Sequence, residues 1–314
     1  MSEGRLRLTI LGGFLGSGKT TWLRHQLHTG TYGHVHVIVN EAADAPVDDA
    51  LLARADQMTL LAGACACCAG QDALIAALLD ICNRRSGDRD PAARLEHIVL
   101  ETSGLADPGA ILLLIQAHPI LARQIVVSGI VVVVDALNGA DQLQHETLSR
   151  KQIEAADRLI LTKTDATQTD EVARLRATLA ALAPAAQQSG ALFGSDANLP
   201  DYDAKAIMPY RLADASDTPI TASQLDLGID ADWTAFTVWL SALLHARGDH
   251  IVRVKGVVRT PAGRLLVQTV RKSVQSPEIL PESAKNVPTD NSIAVIGRGF
   301  TQEQLRASLV QFSA

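Results

Sequence analysis

Eight consecutive residues, Gly13-Phe14-Leu15-Gly16-Ser17-Gly18-Lys19-Thr20, constrain this chain more than any other feature. They match the phosphate-loop pattern in full, between an apolar run, Leu6 to Leu11, and a helical pattern from about Lys19 to His28. In a strand–loop–helix of this kind the glycines let the backbone wrap, so that successive N–H groups point inward at phosphate oxygens. The following helix adds its positive end. Lys19 supplies a point charge for the β- and γ-phosphates, and the Thr20 hydroxyl is placed to ligate Mg²⁺. Gly13, Gly16, Ser17, Gly18 and Thr21 complete the expected phosphate-binding set.

The first two-thirds of the chain repeats the alternation of strand and helix. Val35 to Val39, His97 to Leu100, Ile125 to Val134 and Arg158 to Leu161 read as strands, the last of them closing the series. Ala73 to Cys82 and Thr169 to Leu182 read as helices. The strands are continuous apolar runs without period-two alternation, which predicts a mostly parallel sheet covered by helices on both sides. From Asp196 to Asp217 periodicity fades and Asp, Ala, Pro and Ser accumulate, as in a linker. Beyond it come a strand at Leu225 to Leu227, an amphipathic helix over Trp233 to His245 and a hairpin of Ile251 to Val258 with Arg264 to Arg271. A strand at Ser292 to Gly297 and a helix at Gln302 to Phe312 close the chain. The expected organisation is a P-loop domain over residues 1–200, a linker over 201–220 and a smaller α+β domain over 221–314.

Composition narrows the partners. With 314 residues, 47% of them apolar, the chain can bury two cores. Its net charge of −6 gives no electrostatic footprint for nucleic acid or an anionic membrane, so a small molecule or a protein is the expected partner. Met1 to Leu11 has no signal-peptide pattern, and the run from Ile125 to Val134, broken by Ser128 and Gly129, is too short to span a bilayer. A cytoplasmic location is the expectation. Three of the four cysteines, Cys65, Cys67 and Cys68, fall within four positions, which suits metal or redox chemistry in a reducing compartment. Cys82 lies on the helical apolar pattern and reads as core.

Two further motifs follow strands. The third strand ends in Glu101-Thr102-Ser103-Gly104, where a P-loop enzyme keeps its Mg²⁺-associated carboxylate and a backbone N–H that senses the γ-phosphate. The last strand runs into Leu161-Thr162-Lys163-Thr164-Asp165. A carboxylate at Asp165 can accept from guanine N1–H and the 2-amino group while the Lys163 stem lies along the base. Adenine lacks that donor pair, so such a site prefers GTP.

Together with Cys65-Ala66-Cys67-Cys68 these motifs resemble the CobW-like GTPases, metal-handling relatives of HypB and UreG. The resemblance takes in Asn40-Glu41, the run Glu101 to Pro108, and, in the last third, Arg253-Val254-Lys255-Gly256 and Ile296-Gly297-Arg298. It implies GTP hydrolysis coupled to binding or delivery of a transition metal, commonly zinc or cobalt, with a client metalloprotein as the expected partner. Turnover is expected to be slow, since no arginine is obviously placed to act in cis on the γ-phosphate. Where the family usually has Asn-Glu-Phe-Gly-Glu, this chain has Asn40-Glu41-Ala42-Ala43-Asp44, and Ala64 replaces the glycine before the cysteines. The family's common histidine-rich stretch is absent.

Three thiolates suit Zn²⁺, Co²⁺ or Cu(I) better than hard cations. On an extended segment Cys65 and Cys67 share a face and Cys68 takes the other. Glu41 and Asp44 are candidate oxygen ligands, and His118 is a further candidate. Two other readings compete: a P-loop ATPase or kinase for a small molecule, and a metal buffer or sensor in which nucleotide only sets conformation.

Overall fold

The structure, a computed structural model, describes residues 4–41, 57–62, 70–87, 94–201, 207–212, 220–228, 232–248, 250–270, 273–274, 277–280, 282 and 289–313. It divides into two compact units, Met1–Ala215 and Ser216–Ala314.

In the first unit strands and helices alternate as β1 (Leu6–Gly12), α1 (Lys19–His28), β2 (Val35–Glu41), β3 (Gln57–Ala62), α2 (Gln71–Gly87) and β4 (His97–Glu101). There follow α3 (Pro108–Ala117), α4 (Pro119–Gln124), β5 (Ile125–Asp135), α5 (Gly139–His145), α6 (Thr147–Ala155) and β6 (Arg158–Thr162). A one-turn 3-10 helix (Thr164–Ala166), α7 (Thr169–Leu182), β7 (Gln187–Leu192) and β8 (Ser195–Ala197) complete it. The eight strands form one sheet in the order β3-β2-β4-β1-β5-β6-β7-β8. Every pairing is parallel except that of β7 with β8.

Apolar runs dictate this arrangement. Five of the seven residues of β1 from Leu8 onward are buried without interruption, as parallel strands with helices on their faces require. Helix α1 buries Trp22, Leu23 and Leu27 against Leu11, Val37, Val99, Val133 and Ile160. Full burial of each of these apolar side chains contributes about 1.5–3 kcal/mol, so α1 is anchored by packing. The Ser128-Gly129 interruption proves to be a bulge inside one long strand: Leu8 pairs with Val127 and Thr9 with Gly129. Ser128 is the extra residue, and its hydroxyl donates to Leu8 O at 3.1 Å.

Two strands correct the expectation that Arg158 to Leu161 ends the sheet. β7 begins Gln-Gln-Ser-Gly, without the β-branched residues that mark a strand, and is held by pairing with β6. β8 falls where the composition pointed to a linker, yet it pairs with β7 from Gly190 to Leu192.

The second unit contains β9 (Ile220–Asp226), α8 (Trp233–Arg247), β10 (Ile251–Thr260), β11 (Gly263–Val270), β12 (Ser273–Val274), β13 (Glu278–Leu280), β14 (Ser292–Arg298) and α9 (Gln302–Ser313). Its sheet is antiparallel, ordered β12-β11-β10-β14-β9 with β13 on β11. Leu225, Phe236, Trp239, Leu240, Val254, Val258, Ile293 and Val295 build its core. Asp232 caps α8 by accepting from Thr234 N at 2.8 Å. Among the described residues no helix is long and apolar enough to cross a membrane.

Candidate functional site

The strand order brings the C-terminal ends of β4, β1, β5 and β6 side by side, and the loops that leave those ends build the site. The loop between β1 and α1 is the centre. Gly13 has φ 136° and lies so close to the Val133 carbonyl that a Cβ would collide with it, which is why this position needs glycine. Lys19 is buried, and its ammonium donates to Gly13 O at 2.9 Å and Phe14 O at 3.1 Å. The loop thus wraps around its own cation. Ser17 is fully buried, and its hydroxyl has no hydrogen-bond partner among the described residues. Thr21 stands on the exposed side of α1.

Thr20 donates its hydroxyl proton to Glu101 Oε1 at 2.6 Å, joining residues 81 positions apart. Glu101 is the last residue of β4 and is buried. The segment after it is tied down: Thr102 donates to Leu11 O through both its N–H, at 2.9 Å, and its hydroxyl, at 3.1 Å. From α6, the buried Gln152 amide donates to Gly104 O at 3.2 Å and Ala106 O at 2.8 Å. Asp107 then caps α3, accepting from Gly109 N and Ala110 N.

After β6, the Thr162 hydroxyl donates to Ser17 O at 2.8 Å. Lys163, in the left-handed region at φ 58°, donates to Gly16 O at 2.9 Å and to Asp135 Oδ2 at 2.7 Å. These bonds hold two phosphate-loop carbonyls outward. Asp165 lies on the exposed 3-10 turn that follows. Burial pushes the Asp135 carboxyl toward its neutral form, but the bonds from Lys163, Asn138 and Leu137 outweigh it and hold the pKa below the usual carboxylate value. Asp135 therefore faces Lys163 as a carboxylate at neutral pH.

A model of the CobW/HypB/UreG nucleotide-binding domain matches residues 7–189, and one of the cobalamin synthesis protein cobW C-terminal domain matches residues 224–313. The chain belongs to the CobW/HypB/UreG family. Among curated relatives, the zinc chaperone YjiA of Escherichia coli is 29% identical over 315 residues, covering 96% of this chain and 97% of that one. The zinc chaperone CobW of a Sinorhizobium species is 26% identical, covering 86% of each chain. The solved structure of zinc(II)-bound YjiA GTPase from E. coli superposes with a TM-score of 0.58 over 99% of both chains, at 24% identity, a likeness of fold.

For a CobW/HypB/UreG chain the metal candidates matter, and most fall outside what is described. Cys65, Cys67, Cys68 and Asp44 lie outside the described residues, as does the Glu41 side chain. The backbone of Glu41 ends β2. His118 is the N-cap of α4, where its Nδ1 accepts from Leu121 N at 3.4 Å. Among the described residues no group of three or more His, Cys, Asp or Glu side chains could hold a metal ion. Cys82 is buried in α2, as its apolar spacing predicts.

Two residues of the site escaped the sequence reading. Asp135 ends β5 just as Glu101 ends β4, an acid closing an apolar run, and that shared signal was available. Gln152 carries no such signal: it is one polar residue on a helix, and its role exists only through the carbonyls it meets.

Proposed function

We propose that this chain is a GTP-hydrolysing metallochaperone that binds a transition metal, zinc above all, through Cys65, Cys67 and Cys68, and couples its release to hydrolysis. The carrying observation is the register of the sheet edge beside the phosphates. In the order β3-β2-β4-β1, Val39 pairs with Glu101 and Glu41 pairs with Ala62. Cys65 follows Ala62 by three residues, and Asp44 follows Glu41 by three. The Glu41–Asp44 segment therefore leaves the strand beside the one that ends in Glu101, and the cysteine segment leaves the next strand out, so a change at the γ-phosphate would reach the metal through the β2 end. The relatives named zinc chaperones support zinc as the cargo.

The nucleotide half of the reading rests on the loop. Inward N–H groups and Lys19 would bind the β- and γ-phosphates, and Lys163 with Asp165 would select guanine. Mg²⁺ fits the adjacent Thr20 hydroxyl and buried Glu101 carboxylate, two oxygens of the hard donor type it prefers. When bound it would supply positive charge to the phosphate oxygens. The Gln152 amide fixes the Gly104 backbone near the loop, where its N–H would face the terminal phosphate.

Titrating Zn²⁺ and Co²⁺ into the apo, GDP-bound and non-hydrolysable-GTP-bound protein tests the coupling. Metal affinity should differ among the three states, and metal should change GTP affinity by the same factor. Cys67→Ser exchanges a soft anion for a poor, protonated ligand and should cost at least about tenfold in Zn²⁺ affinity. Equal affinity in all three states, or equal affinity of wild type and Cys67→Ser, would defeat the chaperone reading.

A further inference from the structure

We propose that Asp135 is a positioning residue for the nucleotide: by holding the Lys163 ammonium against the Gly16 carbonyl, it sets the lysine stem as a shelf for the base and ties that shelf to the phosphate loop. The inference rests on the GTP-binding reading above and names a residue outside the motifs that carry it.

Strand adjacency makes the arrangement possible. β5 lies between β1 and β6, with Gly12 beside Val132 and Asp135 beside Thr162. The three loops that leave these strands meet at one ammonium, which donates to Asp135 Oδ2 at 2.7 Å and Gly16 O at 2.9 Å. The two partners differ in freedom. The Asp135 side chain is 2% exposed and is already fixed by its own loop: Oδ1 accepts from Leu137 N at 2.9 Å and Asn138 N at 3.3 Å, and Oδ2 accepts from Asn138 Nδ2 at 2.8 Å. Three donors thus orient the carboxylate, and its remaining acceptor direction meets Lys163.

Lys163 is 41% exposed, and a lysine that open to water ordinarily sweeps through many rotamers. Here it is held at both ends, by the left-handed backbone at its root and by two oxygens at its tip. An ion pair this exposed on one side adds little stability. Its value is geometric. The aliphatic stem is laid out in one conformation before a base arrives, which reduces the ordering cost of binding. Because the same ammonium bonds a phosphate-loop carbonyl, the base subsite and the phosphate subsite are braced by one group.

Asp135→Asn separates positioning from folding. Asparagine keeps an oxygen to accept from Leu137 and Asn138 N–H, so the loop retains its turn, while the anion facing Lys163 is lost. Dissociation of a fluorescent GDP should accelerate about tenfold, the scale of one lost charge-assisted hydrogen bond. Preference for GTP over ATP should fall in competition assays. Lys163→Met should do the same, and the double variant should be no worse than the worse single one, because both remove one device. Wild-type dissociation and selectivity in Asp135→Asn would overturn the inference, as would effects of the two substitutions that multiply. A wild type without guanine preference would sink the GTP reading and this inference together; guanine preference that Asp135→Asn leaves intact would sink this one alone. If Asp135→Asn does not fold, a crystal structure of the wild type with GDP decides. Lys163 should bridge Asp135 and Gly16 beneath the base, and a lysine turned away from Asp135 would refute the assignment.

Discussion

A Cβ on Gly104 would fall 2.7 Å from the backbone nitrogen of Leu15, so the segment after β4 touches the phosphate loop with no room for a side chain between them. The same segment is tied to α6, where the Gln152 amide donates to the carbonyls of Gly104 and Ala106. The two loops that would surround a terminal phosphate are in direct backbone contact.

Gly104→Ala should therefore separate the loops. The contact is with backbone nitrogen and Cα, which have nowhere cheap to go, and overpacking of this kind costs about 1–3 kcal/mol. The expected outcome is a folded protein whose single-turnover GTP hydrolysis falls at least about tenfold, with GDP affinity less affected. Unchanged turnover would show that the close approach plays no part.

Lys19→Ala should abolish hydrolysis while leaving the fold intact. The side chain's bonds run to the loop's own carbonyls, and the packing that anchors α1 comes from Trp22, Leu23 and Leu27. Circular dichroism and phosphate release measured on one preparation check both halves. Wild-type turnover in the folded variant would remove the basis for the phosphate-loop assignment.

Asp165→Asn tests base choice. It exchanges an acceptor for a mixed amide, so GTP should bind more weakly and xanthine nucleotide, whose 2-oxo group accepts a hydrogen bond, should bind better. Competition binding with GTP, XTP and ATP reads the change. A wild type that holds ATP as tightly as GTP would be incompatible with guanine recognition at Asp165.

His97 gives the fold a pH dependence. Burial lowers its pKa to about 4, with Arg7 adding to the effect, and the ring shares a 2.8 Å hydrogen bond with Thr9. The unfolded chain would take up a proton near pH 6.5, whereas the folded one resists until about pH 4. Stability from this group is thus complete above pH 6.5 and is lost as pH falls toward 4, by roughly 1.4 kcal/mol per unit at most. Urea midpoints at pH 7, 6 and 5 should decline in the wild type and decline less in His97→Gln. Parallel lines would exclude His97 as the cause.

What could be read from the chain and what could not divide on physical grounds. The phosphate loop writes its chemistry in consecutive residues, and the helix expected over Thr169 to Leu182 is present with those bounds. Glu101 closes a strand and Lys163 directly follows one, each inside a local motif, so their neighbourhoods were visible one at a time. Asp135 and Gln152 gain meaning only from partners 28 and 46–48 residues away. β7 forms from a polar start because β6 offers it an edge, and no local preference in Gln187 to Gly190 announces that. The run Ile125 to Val134 was legible as one strand, but not that Ser128-Gly129 makes a bulge inside it, because that depends on the register with β1.

Helix α1 begins at Gly18 with no side-chain cap and no acidic residue in its first turn, unlike α3, whose amides Asp107 satisfies. A glycine at the cap supplies no side chain for the first turn. For a phosphate-binding loop the guest is part of the architecture: an anion seated there would take the place that an Asp107-like cap takes elsewhere in the chain. The melting temperature should then climb with nucleotide concentration by simple mass action. How much of this chain is standing at any moment in a cell becomes a question about its nucleotide supply as well as about its sequence.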